Sequence, residues 1–303
     1  MAEKTIHKFL DPAILNKITR LDLKARHIVE GFVAGMHKSP YHGFSVEFAE
    51  HREYSPGDDL KHLDWKVFGR TDRLYVKEYE LETNLRSHIL LDTSESMDYG
   101  SGKSSKLELA SFIAASMAYL ILRQQDSVGM VCFDKEVKQF IPNSSAMGHM
   151  RPILGTLAQS EAKNKTDLGA VFHTLAERFN RRGLVIIISD LFDRPESILK
   201  GLQHFGHKRH DVIVFHVLDE YELSFPFDKM TLFEGLEEYP KLLVDPRALR
   251  RAYLEEVDRF CEEIRKGCVR QMIDYVRVST DQELDVELTK YLAGRLSIRG
   301  HLT

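Results

Sequence analysis

Apolar positions recur along this chain with two periods, and the change from one to the other divides it. Ile14, Ile18, Leu21, Ala25, Ile28 and Phe32 fall three or four residues apart, flanked by Lys17, Arg20 and Lys24. That spacing predicts an amphipathic N-terminal helix, stopped by Ser39 and Pro40. From Tyr41 to Arg73 the rhythm is lost: the stretch is polar, dense in His, Asp and Arg, and carries a turn signal at Ser55-Pro56-Gly57-Asp58. Leu74 to Glu80 then alternates as a strand does.

From Arg86 onward strands and helices take turns. Ser87 to Asp92 reads as a buried strand, and Leu107 to Gln125 is apolar nearly all round, as a helix packed inside a protein is. Val128 to Phe133 and Val137 to Ile141 read as short strands joined at Asp134 and Lys135. Met147 to Ala158 and Leu168 to Arg181 are predicted helices. Leu184 to Ser189 is the most hydrophobic strand and belongs in the centre of a parallel sheet. A helix from Ser197 to His207 and a strand from Asp211 to Leu218 follow. Tyr221 to Pro246 breaks the alternation with an aromatic and acidic insert. Tyr253, Val257, Phe260, Ile264 and Cys268 then line one face of a long helix, and Tyr275 to Ser279 and Leu284 to Leu296 make a last strand and helix. The alternation predicts an α/β fold with a doubly wound, mostly parallel, Rossmann-like sheet. Residues 1–85 are expected to form an N-terminal helix and polar segment packed on a core of residues 86–303, with the insert near 221–246.

Composition narrows the function. Of 303 residues, 43% are hydrophobic and 29% charged, a globular balance, and the net charge of -4 provides no global field for nucleic acid or an anionic membrane. The longest apolar run, Phe112 to Leu122, is too short to cross a bilayer, and the N-terminus lacks the apolar core of a secretory signal. A cytoplasmic location is expected. Three cysteines, Cys132, Cys261 and Cys268, make neither a disulfide framework nor a zinc spacing. His37, His42, His51 and His62 have irregular spacings and read as loop histidines. Basic residues of the long C-terminal helix are interleaved with Glu255, Glu256, Glu262 and Glu263, so that face is salt-bridged and solvated. No phosphate loop, dinucleotide fingerprint or nucleophile-elbow motif is present.

The informative chemistry begins where the first sheet strand ends, at Asp92-Thr-Ser94-Glu-Ser96. In an open α/β sheet, ligands collect beyond the carboxyl ends of the strands. A carboxylate followed by two hydroxyls at alternate positions can turn hard oxygens toward one point, which suits Mg²⁺. Thr166, in a polar loop before a helix, could reach the same edge, although taken by itself such a threonine is more often a helix N-cap. Asp190 closes the most hydrophobic strand.

Asp92, Ser94, Ser96, Thr166 and Asp190, in that order, resemble the metal-ion-dependent adhesion site of von Willebrand factor A domains. The resemblance implies that Ser94, Ser96 and Thr166 touch Mg²⁺ or Mn²⁺ directly and that Asp92 and Asp190 act through water. It also implies a coordination position left for an acidic side chain of a partner. The stretches Gly43 to Phe48, Arg52 to Asp59, Asp64-Trp65 and Arg70 to Glu78, with Tyr275 to Asp281 and Tyr291 to Arg295, resemble the bacterial domain-of-unknown-function family number fifty-eight. That family joins such a segment to a von Willebrand factor A core, and its genes commonly accompany MoxR-type AAA+ ATPases. The resemblance therefore implies a non-enzymatic, metal-dependent protein interaction module with such an ATPase as partner. The alternative is a metal-dependent hydrolase using metal-bound water, with Glu95 or Asp193 as base. The site is expected at the rim of the sheet, outside the core.

Overall fold

The computed structural model describes residues 19–26, 29, 46–54, 65–71, 73–81, 85–102, 104–233 and 242–299. The chain divides into two compact units, one of residues 38–84 and one that joins the N-terminal helix to residues 85–303.

The larger unit is built on a six-stranded sheet. Its strands are β3 (Arg86–Asp92), β4 (Ser127–Phe133), β5 (Val137–Ser144), β6 (Leu184–Ser189), β7 (Asp211–Leu218) and β10 (Asp274–Ser279), in the order β10-β7-β6-β3-β4-β5. Neighbours are parallel except β4 and β5, which form a hairpin turned at Asp134 and Lys135. The four inner strands are near-continuous apolar runs because both faces of the sheet are covered. Successive side chains of a strand point to opposite faces. Ile89, Leu91, Ile186 and Ile188 accordingly join one apolar cluster, and Leu90, Val185, Ile187 and Val214 the other. The α/β, doubly wound, mostly parallel fold expected from the alternation is the one observed, with β6 inside the sheet as its composition required.

Helix α1, residues 19–26, lays Leu21 and Ala25 against this core. Its Lys24 ammonium and Arg20 guanidinium lie over the Phe112 ring, 4.3 and 5.6 Å from the centroid. Phe112 belongs to α3 (Lys106–Arg123), which is buried nearly all round because it runs between the sheet and α1 and beside α4 (Met150–Gln159). On the other face lie α5 (Leu168–Arg178), α6 (Pro195–His207) and the long α8 (Pro246–Arg270). On α8, Arg251–Glu255 and Arg265–Glu262 pairs make the expected salt-bridged outer face. The three cysteines are buried thiols. The C-terminal helix is α9 (Leu284–Arg299), and no helix among the described residues is long and apolar enough to cross a membrane.

The smaller unit contains elements that the polar pattern of Tyr41 to Arg73 does not predict. β1 (Val46–Glu53) pairs antiparallel with β2 (Tyr75–Leu81), and α2 (Trp65–Thr71) lies between them in sequence. The strand escaped the pattern because Glu47 stands opposite Glu80 and Glu50 opposite Glu78, and the register shifts between Phe48 and Glu50. Charges and a bulge together erase the two-residue period. The Ser55 to Asp58 turn, Asp59, Asp64, and the histidines 37, 42 and 62 lie outside the described residues. In the insert, a one-turn helix α7 (Glu220–Ser224) precedes a small hairpin of β8 (Thr231–Phe233) and β9 (Leu242–Val244).

Candidate functional site

The end of β3 is clamped on both sides. Both the amide and the hydroxyl of Thr93 donate to the carbonyl of Phe133, at 2.7 and 2.9 Å, which ties the strand end to β4. The loop before α5 is stitched to the same turn: Lys163 N–H donates to Thr93 O at 2.9 Å, and Glu95 N–H to Asn164 O at 2.8 Å. Asn164 adopts a φ of 64°, a left-handed conformation that asparagine tolerates, and its side-chain amide donates to Asp134 at 2.7 Å. Thr166 follows two residues later. Asp167, not Thr166, caps α5, its carboxylate accepting from Ala170 N–H at 3.1 Å. The Thr166 hydroxyl is buried without a hydrogen-bond partner.

Asp92 is fully buried, inside the sheet end and not at its rim. One carboxylate oxygen accepts Ser94 N–H at 2.9 Å and the other the Ser189 hydroxyl at 2.6 Å. Burial and then the charge of Asp190 push its pKa up to about 7, against the pull of those hydrogen bonds. The hydroxyls of Ser94 and Ser96 are buried and 3.2 Å apart. Asp190 is buried as well, at a sharp turn where Leu191 has a φ of 53° and its N–H reaches Ser189 Oγ at 2.8 Å. The backbone carbonyl of Asp190 lies 2.9 Å from Nε2 of His216, which fixes that turn against β7.

The residue that sequence reasoning missed is Lys106. Its ammonium bridges Asp190 Oδ2 and Glu222 Oε1, each at 2.7 Å, and both Lys106 and Asp190 side chains are 2% exposed. Burial opposes the charge, but the two carboxylates outweigh it and hold the lysine above its ordinary pKa. Glu222 sits above the usual carboxylate range because its burial outweighs the pull of Lys106. Its other oxygen accepts Asp219 N–H at 2.7 Å in a capping box. Asp219 in turn accepts from Ser101 N–H and the Thr280 hydroxyl, at 3.0 and 2.7 Å. A lysine at the first turn of a helix reads as a surface residue. Only the apolar run that follows on every side of α3 hinted at its burial.

Lys106, Thr166, Asp190 and Glu222 line one cavity of about 510 Å³, walled on its apolar side by Tyr253 and Phe260 of α8. The donor set suits a hard divalent ion. Two adjacent buried hydroxyls, an unpartnered third in a loop stitched to the same turn, and two buried carboxylates that repel each other are what such an ion would satisfy. The residues fit.

A mostly parallel, open α/β sheet with helices on both faces and an acid-and-hydroxyl cluster at the carboxyl ends of its strands places this protein among the doubly wound α/β proteins. Within that class, the chain belongs to the family described as protein of unknown function DUF58, whose profile matches residues 50–262, well over half of the 303. It is 25% identical over 301 residues to the uncharacterized protein Rv1480 of Mycobacterium tuberculosis, covering 96% of this chain and 93% of that one. Among solved structures it is similar to the conserved hypothetical protein BatB from Bacteroides thetaiotaomicron, at 18% identity and a TM-score of 0.47, covering 70% and 98% of the two chains. It is also similar to the SpRpn10 VWA domain, at 10% identity and a TM-score of 0.40, covering 68% and 94%.

Proposed function

We propose that this chain is a non-enzymatic, divalent-metal-dependent protein interaction module. Ser94, Ser96 and Thr166 would hold Mg²⁺ or Mn²⁺ directly, with Asp92 and Asp190 behind them. The observation that carries this reading is the Thr166 hydroxyl, buried with no partner and lining the cavity that also holds Asp190. A buried hydroxyl left unsatisfied costs about 1–3 kcal/mol, and a hard cation is the ligand its neighbours suit. The bound ion supplies positive charge that a carboxylate of another protein completes. The partner is an acidic surface of a MoxR-type AAA+ ATPase, by the family resemblance, and the setting is cytoplasmic.

The residues favour binding over hydrolysis. Asp193, the candidate base that lines the same cavity, has both oxygens engaged by backbone amides, Leu168 N–H at 3.1 Å and Arg194 N–H at 2.6 Å. His216, the histidine beside Asp190, has both ring nitrogens engaged, Nε2 with the Asp190 carbonyl at 2.9 Å and Nδ1 with the Tyr275 hydroxyl at 2.6 Å, which leaves neither free to take a proton from metal-bound water.

The test is capture of a purified MoxR-type ATPase by the immobilised full chain. Mg²⁺ should support capture, and EDTA or Thr166→Val should abolish it. Capture unchanged by EDTA overturns the metal reading. Hydrolysis of phosphate esters or peptides by the purified chain, lost in Ser94→Ala, overturns the non-enzymatic one.

A further inference from the structure

The larger unit holds one buried lysine among its described residues, and it lies on a carboxylate of the candidate site. A buried ammonium cannot be left unpaired, so a lysine with a single acceptor would be locked to it. Lys106 has two. Asp190 belongs to the candidate metal cluster, whereas Glu222 stands on α7, held by its own bond to Asp219 N–H. If Asp190 turned to another cation, Lys106 would keep a charged partner at 2.7 Å without moving its backbone. The same cavity contains the unpartnered Thr166 hydroxyl, so a second cation has a donor waiting beside the one lysine already serves.

We propose that Lys106 is a tethered cation that competes with a divalent ion for Asp190 and so keeps the site's hold on metal loose. This rests on the metal reading above. The competition has a direct physical basis. An ammonium within a few ångströms repels an incoming dication and neutralises the carboxylate that would attract it, and at a largely buried site both effects are screened much less than at the surface. An ion held weakly by the chain alone gains most from a partner's carboxylate, so capture of metal and capture of partner become one event. Lys106 is a positioning residue in this scheme: it sets affinity through Asp190.

Mn²⁺ titration by calorimetry on the full chain tests it, using wild type, Lys106→Gln, Lys106→Met and Thr166→Val, with circular dichroism to check folding. The Lys106 variants should bind Mn²⁺ at least tenfold more tightly than wild type, and Thr166→Val more weakly. Equal or weaker binding by folded Lys106 variants, with wild type binding, overturns the role of Lys106 and leaves the metal reading standing. No Mn²⁺ binding by wild type or by any variant overturns the metal reading and this inference with it. A second measurement needs no variant. In wild-type protein labelled with ¹⁵N-lysine, the buried ammonium exchanges slowly and stands apart from exposed lysines. Mg²⁺ should shift that resonance, and an unmoved signal in protein saturated with Mg²⁺ overturns the proposal.

Discussion

Asp92 lies in the interior of the molecule, and that changes what its removal does. Asp92→Ala leaves the Ser94 amide and the Ser189 hydroxyl without acceptors in a buried place, and should cost about 1–3 kcal/mol in urea unfolding. Asp92→Asn, which keeps an acceptor, should cost less. Equal stability of Asp92→Ala and wild type would mean those bonds contribute nothing. His88, in mid-strand, gives a pH dependence. Its ring stacks on Phe179 at 3.8 Å between centroids, and burial, then His210 and Arg86, lower its pKa to about 4. The unfolded chain takes that proton near pH 6.5, so between pH 6.5 and 4 it holds more protons than the folded one. Stability is therefore full above pH 6.5 and falls as pH drops toward 4, by on the order of 2–3 kcal/mol for this residue. His88→Leu should flatten the acid limb of stability against pH, and His216, lowered to about 4 mainly by burial, should keep the rest of it. An unchanged acid limb would refute this account of His88. At this scale the strand-end acids and hydroxyls were legible, since strand ends are where side chains leave the sheet. Lys106 was not, because its partners Asp190 and Glu222 lie 84 and 116 residues away.

Elements were legible where one physical demand set their pattern. β6 is buried on both faces, and a run such as Leu-Val-Ile-Ile-Ile admits no other position. β1 was illegible because cross-strand glutamates and a register shift overwrote its period. α4 begins at Met150, after a separate turn at Met147–His149, and helix starts of that kind carry no apolar signal. Two glycines test the packing between elements in opposite directions. A Cβ at Gly183, just before β6, would stand 2.1 Å from the carbonyl oxygen of Arg86, a backbone atom that cannot swing away. Gly183→Ala should destabilise by about 1–3 kcal/mol. At Gly206, within α6, a Cβ meets nothing within 4 Å, and Gly206→Ala should stabilise by up to about 1 kcal/mol. Equilibrium urea unfolding of both variants checks the pair, and the same sign for both would contradict the packing described.

For the whole molecule, the core and the candidate site are separable in energy. Asp190 already has Lys106 as a counter-charge, and the two apolar clusters on either face of the sheet are complete without an ion. EDTA should therefore lower the melting temperature by no more than about 2–4 °C in scanning calorimetry, and a collapse of the transition would make the ion structural. The strand order carries one more consequence, for how the chain is made. β3 leaves the ribosome first among the six; β4 and β5 follow and are laid on one side of it, then β6 is added on its other side, β7 beside β6 and β10 beside β7. Growth is outward and in order of synthesis, so every new strand finds its template already standing. The longest wait is that of β3 for β6, since Ser87 must wait for Leu184. At about 5–20 residues per second, the open side of β3 faces solvent for several seconds or longer, and that exposed edge is where nascent chains of this protein would stick to one another.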